Sequence, residues 1–235
     1  MFAVVQFPGS NDDRDARFAL KSVLGSHAEL VWHQRAELPA ATTAVLLPGG
    51  FSYGDYLRCG AMAHYSPVMA AVKRFAESGG PVLGVCNGFQ VLCESGLLPG
   101  ALVRNQHLHF VCGFVTVRVE QAGAPFLSRA QTGQVLRLPI KHGEGAYFAP
   151  PGELEQLEAS GRVVLRYCEP DGSVTAGANP NGAVANIAGI RNARGNVMGL
   201  MPHPEHAVEP AIGGTDGLVL LGSLVDAVSG RGGSA

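Results

Sequence analysis

The 235-residue sequence predicts an α/β fold organised on an open, mostly parallel sheet, and three observations carry that expectation. In the first hundred residues short apolar runs alternate with helical segments in a βαβ rhythm. Glycine and proline stand at the joints between those segments. After Gly100 apolar and polar residues alternate, the pattern of half-exposed antiparallel strands, so the second half is richer in sheet and hairpins.

The first expected strand is 2–7, ended by Pro8-Gly9. Asn11 is placed to cap a helix whose first turn carries Asp12 and Asp13, favourable at the positive end of the dipole, and whose apolar face runs through Phe18, Leu20, Val23 and Leu24 to Gly25. Segments 30–32 and 44–47 read as the next two strands. Ser66-Pro67 opens or kinks an alanine-rich helix ending near Gly79-Gly80. Pro81, Val82, Leu83 and Val85 then suit a buried strand, and Phe89, Val91 and Leu92 line a short helix stopped at Gly96. Beyond Gly100 the expected strands are 110–120, 135–140, 162–167, 184–190 and 197–201, the last two joined by a hairpin through 192–196. Residues 216–228 form a closing helix and the end, about 230–235, a loose tail. Without an internal repeat or a clear linker, 1–235 reads as a single domain.

A hydrophobic content of 46% allows a sizeable core, and a net charge of −2 supplies no electrostatic footprint for nucleic acid or an anionic membrane. The apolar runs are too short to span a bilayer. The opening "MFAVVQFPGS" lacks a basic leader and resembles a core strand rather than a signal peptide. Five scattered cysteines without a C-x-x-C fit neither a disulfide framework nor a zinc site, and a reducing cytoplasm is the expected compartment. His107-x-His109 has no accompanying acidic or cysteine cluster, so no metal is expected.

Gly84-Val85-Cys86-Asn87-Gly88 matches G-x-C-x-G, the thiol form of a nucleophile elbow. Such a tight strand-to-helix turn strains its central residue and leaves no room for flanking side chains. It exposes the thiol at the carboxyl edge of the sheet, where helix-terminal amides favour thiolate and can hold an oxyanion. A small buried cysteine is the bland alternative. For the base, His203 in "LMPHPEHAVEP" stands out: Pro204 makes the segment extended, so His203 and Glu205 point to one side and the carboxylate can orient the imidazole. An ordinary polar loop is the competing reading. Gly49-Gly50 follows the 44–47 strand at the same edge, and the amides of Gly50 and Asn87 would make a two-donor oxyanion hole.

These residues resemble the class I glutamine amidotransferase family, which carries a Cys-His-Glu triad. More narrowly, "PGGFSYGDYLRCGAMA", "GVCNGFQVLCESGLLPGAL", "KHGEG" and "GLMPHPEH" resemble the small, separate PurQ-type glutaminase subunits of phosphoribosylformylglycinamidine synthases, and the likeness covers essentially the whole chain. It implies a flavodoxin-like three-layer sandwich with extra antiparallel strands in the second half. It also implies that Cys86 attacks the glutamine side-chain amide, His203 shuttles the proton and Glu205 orients it. Gln90, one helical turn beyond Cys86, takes a glutamine-binding role. The ammonia is expected to pass to a large PurL-type synthetase, bridged by a small PurS-type protein, which makes the amidine of de novo purine biosynthesis. No G-x-x-x-x-G-K-[ST] is present, so ATP and magnesium are expected on that synthetase and no cofactor on this chain. No role follows for the 141–145 segment, and His206 stands where the family often has arginine. The competing readings are another cysteine hydrolase of similar fold, a peptidase or glutamyl hydrolase, and a non-catalytic α/β regulatory subunit.

Overall fold

The runs of branched and small apolar residues in the first half, too short for helices and buried on both faces, line up as parallel strands. A computed structural model describes residues 1–230 and places β1 (Phe2–Gln6) between β2 (Ala28–Trp32) and β3 (Ala44–Leu47), followed by β4 (Val82–Val85). Every residue of β3 and β4 is buried, as expected of central parallel strands. The next neighbour comes from the far end of the chain: β11 (Val197–Leu200) pairs in parallel with β4, register Val197↔Val82 to Leu200↔Val85. The sheet continues through β10 (Ile187–Arg191), β9 (Val163–Cys168), β6 (Val111–Val119) and β7 (Val135–His142), all antiparallel pairs. Following those pairings, only β10 and β6 run against the others, so seven of the nine strands point one way.

Helices α1 (Asp13–Phe18), α2 (Ala61–His64), α3 (Pro67–Glu77), α4 (Asn87–Glu94), α5 (Pro151–Ala159) and α6 (Gly217–Val228) complete the α/β arrangement. Tyr65 and Ser66 separate α2 from α3, and Pro67 opens the second helix after a short first one. Helix α4 packs on β3, β4 and β11. Phe89 fits under Gly199 so closely that a Cβ there would lie 2.1 Å from its ring.

The structure departs from the sequence reading in places with local causes. Asp12, not Asn11, is the residue preceding α1, and its side chain caps nothing because it turns towards Lys141. The helix ends in a π-helical turn over Ala19–Val23. The expected strand at 184–190 begins only at Ile187: Ala185 and Asn186 adopt positive φ, held by the Asn186 amide donating to the carbonyls of Tyr167 and Thr175. Helix α5 and the small β5–β8 ribbon (Ala101–Val103 with Ala146–Phe148) went unread. The expected loose tail lies, beyond Gly230, outside the described residues.

Two consequences position the site. The carboxyl ends of β3, β4 and β11 lie side by side, carrying Gly49-Gly50, Cys86 and His203. The sheet also curls enough for its far strand to return, since the His203 amide donates to the Pro139 carbonyl of β7 at 2.8 Å. The elbow beneath has no slack: a Cβ on Gly88 would lie 2.0 Å from the Leu47 carbonyl oxygen, which is backbone and cannot swing away. Gly88→Ala is therefore expected to cost about 3 kcal/mol or more by overpacking, read as a lowered denaturant midpoint; a wild-type midpoint would contradict it.

Candidate active site

Cys86 joins β4 to α4 with φ 49° and ψ −106°, a backbone conformation a non-glycine residue adopts only under constraint. The constraint is visible on both sides. Its N–H donates to the Leu200 carbonyl at 2.8 Å, and its own carbonyl accepts from Phe89 and Gln90 at 2.9 and 3.1 Å. A Cβ on Gly84 would sit 2.6 Å from the Gly88 carbonyl, so both flanking glycines are required. The elbow read from sequence is thus present, but burial works against the expected thiolate. Burial pushes the thiol pKa well up, the anions of Asp12 and Glu205 add to it, and the Asn87 N–H at the helix start pulls down without winning. The thiol donates to the Lys141 carbonyl at 3.8 Å and Cys86 is only 5% exposed. It needs a base.

His203 is the candidate. It follows β11 in extended backbone, and Pro204–His206 then form a 3₁₀ turn. This corrects the expectation of an extended segment; the tight turn, rather than strand alternation, brings Glu205 back onto His203. The Nδ1–Oε1 distance is 2.6 Å and both side chains are almost fully buried. Burial draws the His203 pKa down to about 4 and raises that of Glu205 to about 7, so the site resists isolated charge and favours moving a proton within a bonded pair. His203 Nε2 is buried and has no hydrogen-bond partner among the described residues, and His203 and Cys86 follow the neighbouring strands β11 and β4.

The remaining expected residues fall around this core. The Asn87 side chain accepts from the Ser52 amide at 3.4 Å and donates to Gln90 Oε1 at 2.9 Å, tying the elbow to the loop after β3. Gln90 donates to the Glu144 carbonyl at 2.5 Å, so it faces the 141–145 segment. Gly50, with φ 127°, backs onto Asn11, whose amide nitrogen a Cβ would approach to 2.7 Å. Its neighbour Gly49 is the residue against His203, with Cε1 2.6 Å from the position of a Cβ. Cys93 is partly buried against the hydrophobic core and donates to the Pro99 carbonyl at 3.6 Å.

Four residues were missed. Asp12, 1% exposed, pairs with the Lys141 ammonium at 2.5 Å and places its other oxygen 3.6 Å from His203 Nδ1. Lys141 also accepts the thiol through its carbonyl. Glu144 receives Gln90 on its carbonyl and pairs with Arg104 at 3.4 Å. Asn105 holds the segment's shape, bonding His142 Nδ1 at 3.1 Å and the Gly145 amide at 3.0 Å. The string "KHGEG" marked the segment of Lys141 and Glu144 in the sequence without disclosing what either residue meets. Donor atoms of Asp12, His203, Glu205 and His206 lie within 4.8 Å of one another. The Lys141 ammonium already meets that negative charge, and the cluster reads as a proton-handling site with no metal assigned. A cavity of about 460 Å³ opens beside Glu205 and His206, and a larger arginine-lined groove lies at the opposite edge of the sheet, away from Cys86.

Residues 1–212 match the family described as the CobB/CobQ-like glutamine amidotransferase domain. The chain is 58% identical to the phosphoribosylformylglycinamidine synthase subunit PurQ of Thermomicrobium roseum, over 95% of this chain and 94% of that one. It is 53% identical to the protein of the same name from Acaryochloris marina, over 98% of each. A chain in the structure of PurLQS from Thermotoga maritima superposes with a TM-score of 0.85 at 41% identity, covering 96% of this chain and 97% of that one. A glutamine amidotransferase from the same organism, with a TM-score of 0.54 at 16% identity, over 99% and 93% of the chains, shares the fold.

Two expectations follow from the geometry. Gly49→Ala would place a methyl group against both His203 and Asp12, so glutaminase turnover should fall by at least about tenfold in a variant that still folds; unchanged turnover would contradict the placement. Burial, with His203 as a lesser cause, lowers the His142 pKa from 6.5 to about 4. The unfolded chain therefore binds the extra proton first, and stability falls as pH drops from about 6.5 to about 4, by about 3 kcal/mol from this residue. Denaturant midpoints at several pH values should show a shallower acid decline in His142→Gln; parallel declines would refute the assignment.

Proposed function

Because the chain belongs to the CobB/CobQ-like glutamine amidotransferase domain family, we propose that it is the glutaminase subunit of a phosphoribosylformylglycinamidine synthase, with Cys86, His203 and Glu205 as its catalytic triad. The observation that carries the site assignment is the buried His203–Glu205 pair, which leaves Nε2 unpartnered beside a strained cysteine elbow.

His203 Nε2 takes the proton of Cys86, and the thiolate attacks the side-chain carbonyl carbon of glutamine. The oxyanion is held by the amides of Asn87 and Gly50, each donor of this kind being worth roughly 3 kcal/mol. The imidazolium gives its proton to the amide nitrogen, the C–N bond breaks and ammonia leaves. Water, deprotonated by His203, then hydrolyses the glutamyl thioester, releasing glutamate and restoring the thiol. Glu205 keeps the imidazole in the tautomer that presents Nε2, and Gln90 lines the glutamine pocket.

The ammonia serves a PurL-type synthetase subunit, which converts formylglycinamide ribonucleotide to the amidine. ATP and magnesium act on that subunit, a PurS-type protein bridges the two, and the reaction takes place in the cytoplasm. No helix among the described residues is long and apolar enough to cross a membrane. The loop after β3 offers exposed Phe51, Tyr56 and Leu57 next to the site, a surface suited to the partner. The nearly inaccessible Cys86, tied to the Lys141 carbonyl, makes the chain a poor glutaminase until assembly opens the site.

The test incubates the protein with glutamine, with and without the synthetase subunits, and measures glutamate and ammonia. Assembly should raise the rate, and Cys86→Ala should abolish it. Hydrolysis by the variant at the wild-type rate would eliminate the nucleophile and reopen the non-catalytic reading.

A further inference from the structure

Asp12 sits where neither the triad nor its own helix requires a carboxylate. It precedes α1 yet caps no backbone amide with its side chain. It is 1% exposed, and one oxygen is bound by Lys141 Nζ at 2.5 Å. The other, Oδ2, has no hydrogen-bond donor among the described residues and lies 3.6 Å from His203 Nδ1. A buried carboxylate oxygen left unbonded is costly unless a charge arrives beside it. Room for this approach exists only because residue 49 is glycine: a Cβ there would lie 2.5 Å from Asp12 Oδ2 and 2.6 Å from His203 Cε1.

We propose that Asp12 is a positioning residue for the hydrolysis: braced by Lys141, its free oxygen stabilises and orients the His203 imidazolium that forms when Cys86 gives up its proton. The inference rests on the triad assigned above. The groups facing His203 are Glu205 and His206 on its own turn, Asp12 and Asp15 at the start of α1, and Lys141 and His142 on β7, with Cys86 at the end of the neighbouring strand β4. Glu205 alone would meet the imidazolium from one side. Asp12 adds a second carboxylate at the same Nδ1 edge, and Lys141 offsets the surplus negative charge that would otherwise oppose thiolate formation. Asp12 disfavours the thiolate and favours the imidazolium, whereas Lys141 does the reverse. The closeness of Oδ2 to Nδ1 makes the imidazolium the charge Asp12 serves most. The pair thus behaves as a fixed dipole, its negative end on the imidazole.

Two substitutions separate this role from a structural one. In the assembled enzyme, the rate of Cys86 alkylation by iodoacetamide is followed against pH by peptide mass spectrometry for Asp12→Asn and Lys141→Gln, and kcat and KM for glutamine are measured. Removing the anion weakens the imidazolium, so the profile of Asp12→Asn should move to lower pH by about half a unit or more, with kcat reduced and KM little changed. Removing the cation should move the profile of Lys141→Gln to higher pH. Opposite shifts cannot come from partial unfolding. Profiles that superimpose on wild type, or that move in the same direction, overturn the proposal. Cys86→Ala runs alongside: if it retains glutamine hydrolysis the triad itself fails, whereas an inactive Cys86→Ala with unshifted Asp12→Asn defeats only the role of Asp12.

Discussion

A cysteine held at φ 49° between a buried strand and a buried helix is the constraint on which the rest of the molecule depends. Such a conformation costs on the order of 1–3 kcal/mol, and the surroundings must make every alternative worse. They do so from three directions. Leu200 on β11 accepts the Cys86 amide, the first turn of α4 donates back to its carbonyl, and β3 lies so close beneath Gly88 that no side chain fits. The parallel half of the sheet is therefore more than a scaffold. Its packing density fixes the one backbone position at which the thiol meets the ends of three strands.

The antiparallel half completes the site by curvature. Strand β7 stands farthest from β4 in the sheet order, yet it returns to accept the His203 amide on Pro139 and to deliver Lys141. Residues just beyond it reach Gln90 through the Glu144 carbonyl, while Asn105 locks His142 and Gly145. One short segment thus touches Cys86, Gln90 and Asp12, the acid beside His203. Burial sets the electrostatics there: it raises Cys86 and Glu205 and lowers His203, so charge appears only in compensated pairs.

Much of this was legible in the sequence. The elbow is local, since glycines two residues either side of Cys86 state the turn directly, and the His203–Glu205 spacing places an acceptor near the imidazole under either an extended or a 3₁₀ reading. What escaped depends on tertiary closure. Asp12 reads as an ordinary first-turn acid, and nothing local reveals that β7 will bring Lys141 across to it. The opposing pull on the thiol escaped for the same reason: the helix terminus that favours thiolate is visible in the sequence, whereas the burial that works against it is not. The 184–190 strand failed at its start because the Asn186 amide bonds distant backbone carbonyls, and α5 was missed because its single fully buried residue, Leu157, gives little helical periodicity.

The proposed mechanism requires a glutamyl group to become covalently attached to Cys86 as ammonia leaves. Rapid quenching of the assembled enzyme during turnover, followed by peptide mass spectrometry, tests it most directly. The account predicts a glutamyl group on the peptide containing Cys86, appearing with ammonia release and decaying as glutamine is exhausted. Steady turnover with the adduct on Cys59, Cys93, Cys112 or Cys168 instead, or with no adduct on any cysteine under conditions that trap thioesters, would contradict it.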